Sequence, residues 1–193
     1  MLKKIVIIGP ESTGKSTLCQ ELAEYFETIW CPEYAREYLL TNGTDYSFQD
    51  LLTIAKGQIA LEEKLAEKLE QRAAPLLEQD YDIPYFIDTD MSVMKVWCEF
   101  VFNKSHPFIE EQLAKRKVDH YFLCQPDLPW VKDQLREYPD LATREKLFTI
   151  YRGWLESQSV PWTLIQGKDT ERMQLAVRAV NRILETSYVS DSQ

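Results

Sequence analysis

Residues 5–17, IVIIGPESTGKST, contain the pattern that decides the fold. Gly9, Gly14, Lys15 and Ser16 fit G-x-x-x-x-G-K-[ST] without a gap. In this pattern the glycines let backbone N–H groups turn toward a phosphate, the lysine reaches the β- and γ-phosphate oxygens, and the hydroxyl binds Mg²⁺. We therefore predict a site for ATP and Mg²⁺. Its expected ATP-binding residues in the loop are Gly9, Glu11, Ser12, Thr13, Gly14, Lys15, Ser16 and Thr17.

The flanks of the loop place it between a strand and a helix. Residues 5–8 form an apolar run, which is typical of a strand buried in a parallel sheet. After the loop, Leu18, Leu22, Tyr25 and Phe26 recur at helical spacing. A strand, a glycine-containing loop and a helix in this order are the context that a phosphate-binding loop requires.

Strands and helices alternate along the rest of the chain. The sequence predicts strands at 5–8, 29–31, 85–87, 121–123 and 163–165, and helices at about 15–27, 48–72, 91–103, 107–116, 143–157 and 170–186. This alternation predicts an α/β P-loop NTPase fold, with three α/β/α layers around a mainly parallel five-stranded sheet. We expect residues 1–187 to form one nucleoside-kinase-like domain that includes a lid, and residues 188–193 to form a flexible tail. A chain of 193 residues is long enough for one well-packed core.

The amino-acid composition limits the kinds of molecule that this chain could bind. The 22 Lys and Arg residues are outnumbered by 31 Asp and Glu residues, giving a net charge of −9, which argues against nucleic acid as a partner. The four cysteines are scattered, so a disulfide framework or zinc site is not expected, and a reducing cytoplasm fits. No apolar stretch approaches the roughly 20 residues of a membrane span. We expect a small-molecule nucleoside substrate; the sequence does not give the oligomeric state.

Acidic residues follow two predicted strands, where ligands of parallel α/β sheets bind. The second strand leads into WCPEYAR and the third into FIDTD. The candidate substrate-binding residues there are Trp30, Glu33, Tyr34, Arg36, Asp88 and Asp90. Asp88 ends an apolar strand, as a Walker-B carboxylate does, so Ser16 and Asp88 are the candidate metal ligands. Asp88 and Asp90 are two residues apart, and that spacing on a strand predicts side chains on one face.

Phosphoryl transfer to a hydroxyl needs an acceptor held in line, Mg²⁺ and a carboxylate that takes the proton. The acids after the second and third strands exceed what one metal needs, which suggests an acceptor with several hydroxyls, such as a ribose. The base is either Glu33 or one of the Asp88/Asp90 pair. Structural roles are the alternatives: a turn former for Asp88, a helix N-cap for Asp90, a first-turn residue for Glu33, and core packing for Trp30.

A basic, proline-containing region follows the fourth strand and carries Lys132, Arg136, Arg144 and Arg152. P-loop kinases have a mobile lid at this position, which closes over the triphosphate and excludes water. Arg136 and Arg144 are therefore candidate ATP-binding residues, although solvated surface arginines are the alternative. Gly167, in the turn after the last strand, is a candidate for the adenine side. The candidate catalytic residues are Lys15, Glu33, Asp88 and Arg136.

The chain resembles the ribosylnicotinamide kinase domain of bifunctional NadR-type bacterial proteins, and the wider group of NadR-like AAA proteins. The resemblance is carried by GPESTGKST, PEYARE, FIDTD, SHPF, PWVKDQLR and VPW, in that order. It implies ATP-dependent phosphorylation of the 5′-hydroxyl of nicotinamide riboside, giving nicotinamide mononucleotide in NAD biosynthesis. It also implies that Glu33, Tyr34 and Arg36 border the nucleoside, and that Arg136 lies in the lid.

The sequence departs from the bifunctional proteins in one respect. They carry an adenylyltransferase domain, and sometimes a DNA-binding domain, before the kinase, whereas this sequence starts at the P-loop strand. We therefore expect neither of those further activities. Two alternatives stay open: a kinase for another nucleoside or vitamin alcohol, and, from a different class, a regulatory ATP-binding switch that hydrolyses ATP slowly.

Overall fold

The computed structural model describes residues 1–168 and 170–190. Its strands are β1 (Leu2–Ile8), β2 (Trp30–Cys31), β3 (Ile83–Asp88), β4 (His120–Cys124) and β5 (Trp162–Ile165). All neighbours pair in parallel, in the order β2-β3-β1-β4-β5. The central strand β1 is thus bonded to β3 on one side and β4 on the other. The predicted five-stranded parallel sheet is confirmed.

Seven helices connect these strands in the part of the chain that the structure describes. They are α1 (Lys15–Tyr25), α2 (Tyr34–Asn42), α3 (Phe48–Leu77), α4 (Met91–Phe102), α5 (Pro107–Lys115), α6 (Leu141–Glu156) and α7 (Thr170–Ser190). The sequence did not predict α2, which buries only Ala35 and Leu39 and so has little apolar periodicity. Residues 188–190 of the expected tail belong to α7, and 191–193 lie outside the described residues. None of the described helices is long and apolar enough to cross a membrane.

The alternation of side chains along β1 separates two cores. Val6 and Ile8 face one side of the sheet, and Ile5 and Ile7 face the other; all four are fully buried. The first side is covered by α3, α4 and α6, and the second by α1 and α7. Helices therefore lie on both faces of the sheet, which confirms the predicted three layers and the P-loop NTPase fold.

The long helix α3 begins at a capping box, in which the Ser47 hydroxyl and the Asp50 carboxylate each accept a hydrogen bond from the other residue's backbone N–H. Its apolar face packs into the core, where Leu51 and Ile54 are fully buried. The charge-rich second half of α3 is not wholly solvated, because Glu62 is buried and pairs with Arg116 at 2.8 Å.

Helices α2 and α3 meet at Gly57, where the ring of Tyr34 lies against the α3 backbone. A Cβ atom at position 57 would lie 2.1 Å from Cε1 of Tyr34, so only glycine fits without a shift of the ring. Just beyond this contact, the Tyr34 N–H donates to Oε1 of Gln58 at 2.8 Å. These two contacts position α2, whose N-terminal end carries Glu33.

We expect Gly57→Ala to lower the free energy of unfolding by about 1–3 kcal/mol, because overpacking outweighs the better helix propensity of alanine. The matched control is Gly153→Ala in α6, where the added Cβ would meet none of the described atoms within 4 Å beyond its chain neighbours and the backbone of its own helix. This control should raise stability by up to about 1 kcal/mol. Urea unfolding of the two variants measures the difference, and equal stabilities would contradict the close contact.

Candidate active site

The loop between β1 and α1 has the backbone that its glycines predict. Gly9 has a φ of 142° and Gly14 a φ of 75°, both in the range that side chains disfavour. Position 9 also lacks space, because a Cβ there would lie 2.7 Å from the carbonyl oxygen of Cys124 on β4. Ser12 adopts a φ of 57° at the apex of the loop. The loop is therefore folded tightly against the carboxyl end of the sheet.

The N-terminus of α1 is arranged to attract an anion. Gly14 is the N-cap and supplies no capping side chain, and the first turn contains no acidic residue. The positive end of the helix dipole therefore faces the loop unneutralised. The ammonium of Lys15 donates to the carbonyl oxygen of Pro10 at 3.0 Å, which holds this cation over the loop.

Asp88 lies beside the loop at the end of β3. The Ser16 hydroxyl donates to its Oδ2 at 2.5 Å, while its Oδ1 is buried and has no hydrogen-bond partner among the described residues. Burial raises the pKa of Asp88, and the nearby charge of Lys15 and the bond from Ser16 oppose that rise. A hydroxyl and a carboxylate oxygen are ligands that Mg²⁺ prefers, so these residues fit this cation.

One cavity of about 550 Å³ extends from the loop to an aromatic chamber. Every predicted residue of the loop lines it, as do Trp30, Glu33, Arg36, Asp88 and Arg136. The apolar part of the lining, which we call the aromatic chamber, was not predicted from the sequence and consists mainly of Val93, Trp97, Phe100, Tyr138, Leu147 and Tyr151. The lining thus combines the polar loop with a group of aromatic and aliphatic side chains, against which a flat apolar group would fit.

Glu33 is the N-cap residue of α2, but its side chain makes no capping hydrogen bond and lines the cavity instead. Burial raises the pKa of Glu33 to about 7, and the negative charge of Asp88 adds to the effect. Lys15 and Arg36 act in the opposite direction. A carboxyl group with this pKa, in the lining of the cavity, is suited to exchanging a proton near neutral pH.

We call residues 125–140, between β4 and α6, the lid segment. It contains neither helix nor strand. Several of its residues line the cavity, including Asp133 and Arg136. Arg36 of α2 forms a two-point ion pair with Asp133, with N···O distances of 3.2 and 2.8 Å. Arg36 thus connects α2 to the lid segment and also lines the cavity.

The structure does not bring two of the candidate substrate residues to this cavity. Tyr34 packs against Gly57. Asp90 is the N-cap of α4 and accepts hydrogen bonds from Ser92 and from the Tyr121 hydroxyl. The expectation that Asp88 and Asp90 share a face was wrong, because Thr89 between them has a φ of 72° and interrupts the strand alternation.

Two candidate ATP-binding residues also lie off the cavity lining. Arg144 is buried in the first turn of α6, where one amino group is 3.5 Å from the carbonyl oxygen of Leu128. Its Nε has no hydrogen-bond partner among the described residues. Gly167 has a φ of 92°, and its N–H donates to Oδ2 of Asp127 at 2.7 Å.

Arg172 of α7 is a residue that the sequence reasoning missed. Its guanidinium donates to the carbonyl oxygen of Thr13 at 2.9 Å, of Gly167 at 3.2 Å and of Gln125 at 3.3 Å. It also pairs with Asp127. This one buried side chain connects the phosphate-binding loop to the turns after β4 and β5. An arginine near a helix start is too common a feature to have indicated this role.

A phosphate-binding loop after the central strand of a parallel α/β/α sheet, with a strand-end carboxylate on its serine, defines a P-loop NTPase. The sequence matches the AAA_28 family, described as an AAA domain, over residues 4–172. The chain belongs to this family.

Curated relatives include the trifunctional NAD biosynthesis/regulator protein NadR of Escherichia coli K12. It is 26% identical over 173 residues, which are 87% of this chain and 39% of the relative. The chain thus spans about two-fifths of that relative's length. The NadR protein of Salmonella typhimurium LT2 is 27% identical over 174 residues, with the same two shares. The predicted resemblance to NadR-type proteins is confirmed.

Solved structures share the fold. A NadR protein in complex with NR superposes with a TM-score of 0.72 at 20% identity, over 95% of this chain and 52% of the other. Deoxyadenosine kinase from M. mycoides with bound dATP superposes with a TM-score of 0.57 at 14% identity, over 93% of this chain and 99% of the other.

We expect Arg172→Lys to lower the free energy of unfolding by about 1.5–3 kcal/mol, because a lysine cannot make the four contacts of the guanidinium fork. Arg178→Lys is the control, since Arg178 is exposed on the same helix. It should change stability by less than about 0.5 kcal/mol. Chemical denaturation measures both, and a harmless Arg172→Lys would show that the network does not hold the loop.

Proposed function

We propose that this chain transfers the γ-phosphoryl group of ATP to the 5′-hydroxyl of nicotinamide riboside. The observation that carries the proposal is the single cavity, in which the phosphate-binding loop, the Glu33 carboxyl and an aromatic chamber are continuous. A switch that only binds and hydrolyses ATP has no need of such a chamber beside its γ-phosphate site. The reaction would take place in the cytoplasm, where the four buried, unpaired cysteines remain reduced.

The comparisons support this choice of acceptor. The NadR relatives are named for NAD biosynthesis, and one NadR structure of the same fold holds NR, nicotinamide riboside. Deoxyadenosine kinase, also of this fold, is a nucleoside kinase with bound dATP. We transfer to this chain only the kinase reaction, because the match covers 39% of the trifunctional relative.

The phosphate side of the reaction follows from the loop. Backbone N–H groups of the loop, the α1 N-terminus and Lys15 would hold the β- and γ-phosphates. Ser16 and Asp88 would hold Mg²⁺, which when bound neutralises negative charge on the phosphates. Arg136, on the cavity wall, would stabilise the charge that develops during transfer. Among the described residues, the buried Arg144 guanidinium has no partner for its Nε, which suits a residue that would meet phosphate on lid movement.

Glu33 is the general base of this proposal. Its carboxylate would accept the proton of the attacking hydroxyl, and a pKa of about 7 is well matched to that task at neutral pH. The other acids are engaged: Asp88 by Ser16, and Asp90 by Ser92 and Tyr121. Trp30 and the aromatic chamber would hold the base of the nucleoside.

A panel of acceptors tests the substrate. We would measure ATP consumption with Mg²⁺ in the presence of nicotinamide riboside, the common nucleosides, thiamine or no acceptor, and determine product masses. Acceleration by nicotinamide riboside, with a product one phosphate heavier, is the expected result. Lys15→Ala should lower the rate about 10²–10³-fold and serves as the inactive control. If another compound accelerates ATP consumption, that compound is the acceptor in place of nicotinamide riboside. Equally slow hydrolysis in every reaction would favour the regulatory ATP-binding switch.

Glu33→Gln should lower kcat about 10²–10⁴-fold while leaving ATP binding intact, because the amide cannot accept the proton. In the unmodified protein, kcat/KM should fall as the pH drops below about 7, since only deprotonated Glu33 acts as a base. The variant should lack this pH dependence. Glu37→Gln, at an exposed acid in the same helix, is the control. If the Glu33→Gln variant is fully active, Glu33 is not the general base, and Asp88 takes that role instead.

A further inference from the structure

Glu11, in the phosphate-binding loop, has its hydrogen-bond partners in the lid segment. Its Oε2 accepts the backbone N–H of Glu137 at 3.0 Å, and its Oε1 accepts the backbone N–H of Tyr138. The indole N–H of Trp130 approaches Oε1 at 3.5 Å. One carboxylate of the loop therefore binds two consecutive backbone amides of the lid segment.

The chemistry of the side chain suits this role, and ATP binding, which the sequence predicts for Glu11, would rest on its backbone N–H group instead. A carboxylate beside a triphosphate is unfavourable, because like charges repel. Backbone N–H groups, in contrast, form their stronger hydrogen bonds with charged acceptors. The acidic residue type at this loop position is thus accounted for by the lid segment.

The neighbouring residue adds to the same connection. The Ser12 hydroxyl accepts the N–H of Val131 at 3.0 Å and donates to the carbonyl oxygen of Pro129 at 3.3 Å. The lid segment contains neither helix nor strand, so its position depends on contacts of this kind. It also contributes Arg136 to the cavity wall.

We propose that Glu11 is a positioning residue that fastens the lid segment to the phosphate-binding loop and thereby keeps water from the γ-phosphate. The consequence for catalysis rests on the proposed kinase function. In transfer and in hydrolysis alike, the bond from the γ-phosphorus to the β–γ bridging oxygen breaks and ADP leaves. The acceptor hydroxyl receives the phosphoryl group in the first case and water in the second. A fastened lid segment favours the first.

Limited trypsin digestion without nucleotide tests the fastening itself. The lid segment offers an exposed Lys132 as a cleavage site. Cleavage follows the population of the opened segment, so Glu11→Ala should be cut there about tenfold faster than the unmodified protein. Glu21→Ala, at an exposed acid of α1, should be cut at the unmodified rate.

If Glu11→Ala fails to fold, Glu11→Gln, which keeps one carbonyl acceptor, should show a smaller increase of about threefold. A folded Glu11 variant cut at the unmodified rate would overturn the proposal.

The catalytic consequence has a separate readout, the ratio of ATP hydrolysis without acceptor to phosphoryl transfer with acceptor. Glu11→Ala should raise this ratio about tenfold, and Glu21→Ala should not change it. Equal loss of both rates would mean that Glu11 only supports the fold of the loop, and would refute the role in excluding water. If the unmodified protein phosphorylates no acceptor, the kinase proposal fails, while the digestion result still decides whether Glu11 holds the lid segment.

Discussion

The pairing of β1 with both β3 and β4 is the constraint on which the site depends. Parallel registry brings Ile7 beside Asp88 and Ile8 beside Leu123, so the ends of three strands lie at one edge. The loop after β1 then meets the carboxylate that ends β3 and the lid segment that follows β4. Because β1 pairs with β4, Gly9 directly after β1 lies close to Cys124 at the end of β4. A side chain at position 9 would separate the loop from β4. It would thereby disturb how the loop, the Asp88 carboxylate and the lid segment are placed relative to one another.

Three acids near this edge differ because their surroundings differ. Asp88 accepts a hydrogen bond from the Ser16 hydroxyl, and its other, buried oxygen has no partner in the part of the chain that the structure describes, which suits a metal ligand. Asp90 accepts hydrogen bonds from Ser92 in the α4 cap and from the Tyr121 hydroxyl of β4, which suits a structural role. Glu33 faces the cavity with a pKa near 7, which suits proton transfer. The assignment of roles follows from these hydrogen-bond partners and not from residue type.

The sequence was sufficient for the sheet, the phosphate-binding loop and its pairing with Asp88, because these follow from motif spacing and from apolar runs. It was insufficient wherever one backbone angle or a distant contact decides. The left-handed backbone of Thr89 redirects Asp90, and the contact with Gly57 removes Tyr34 from the cavity. The aromatic chamber is formed by residues of α4, α6 and the lid segment, so no local sequence pattern predicts it. Arg172 and Glu11 likewise act on residues more than a hundred positions away.

The brevity of the outer strands has a consequence for association between molecules. At the two edges of the sheet, β2 has only two residues and β5 only four. Pro32 follows β2 directly and Pro161 precedes β5, and proline has no N–H to donate to another strand. Each edge therefore presents few unpaired backbone groups to a second sheet. This arrangement disfavours edge-to-edge aggregation, even though the strands between these edges are strongly apolar.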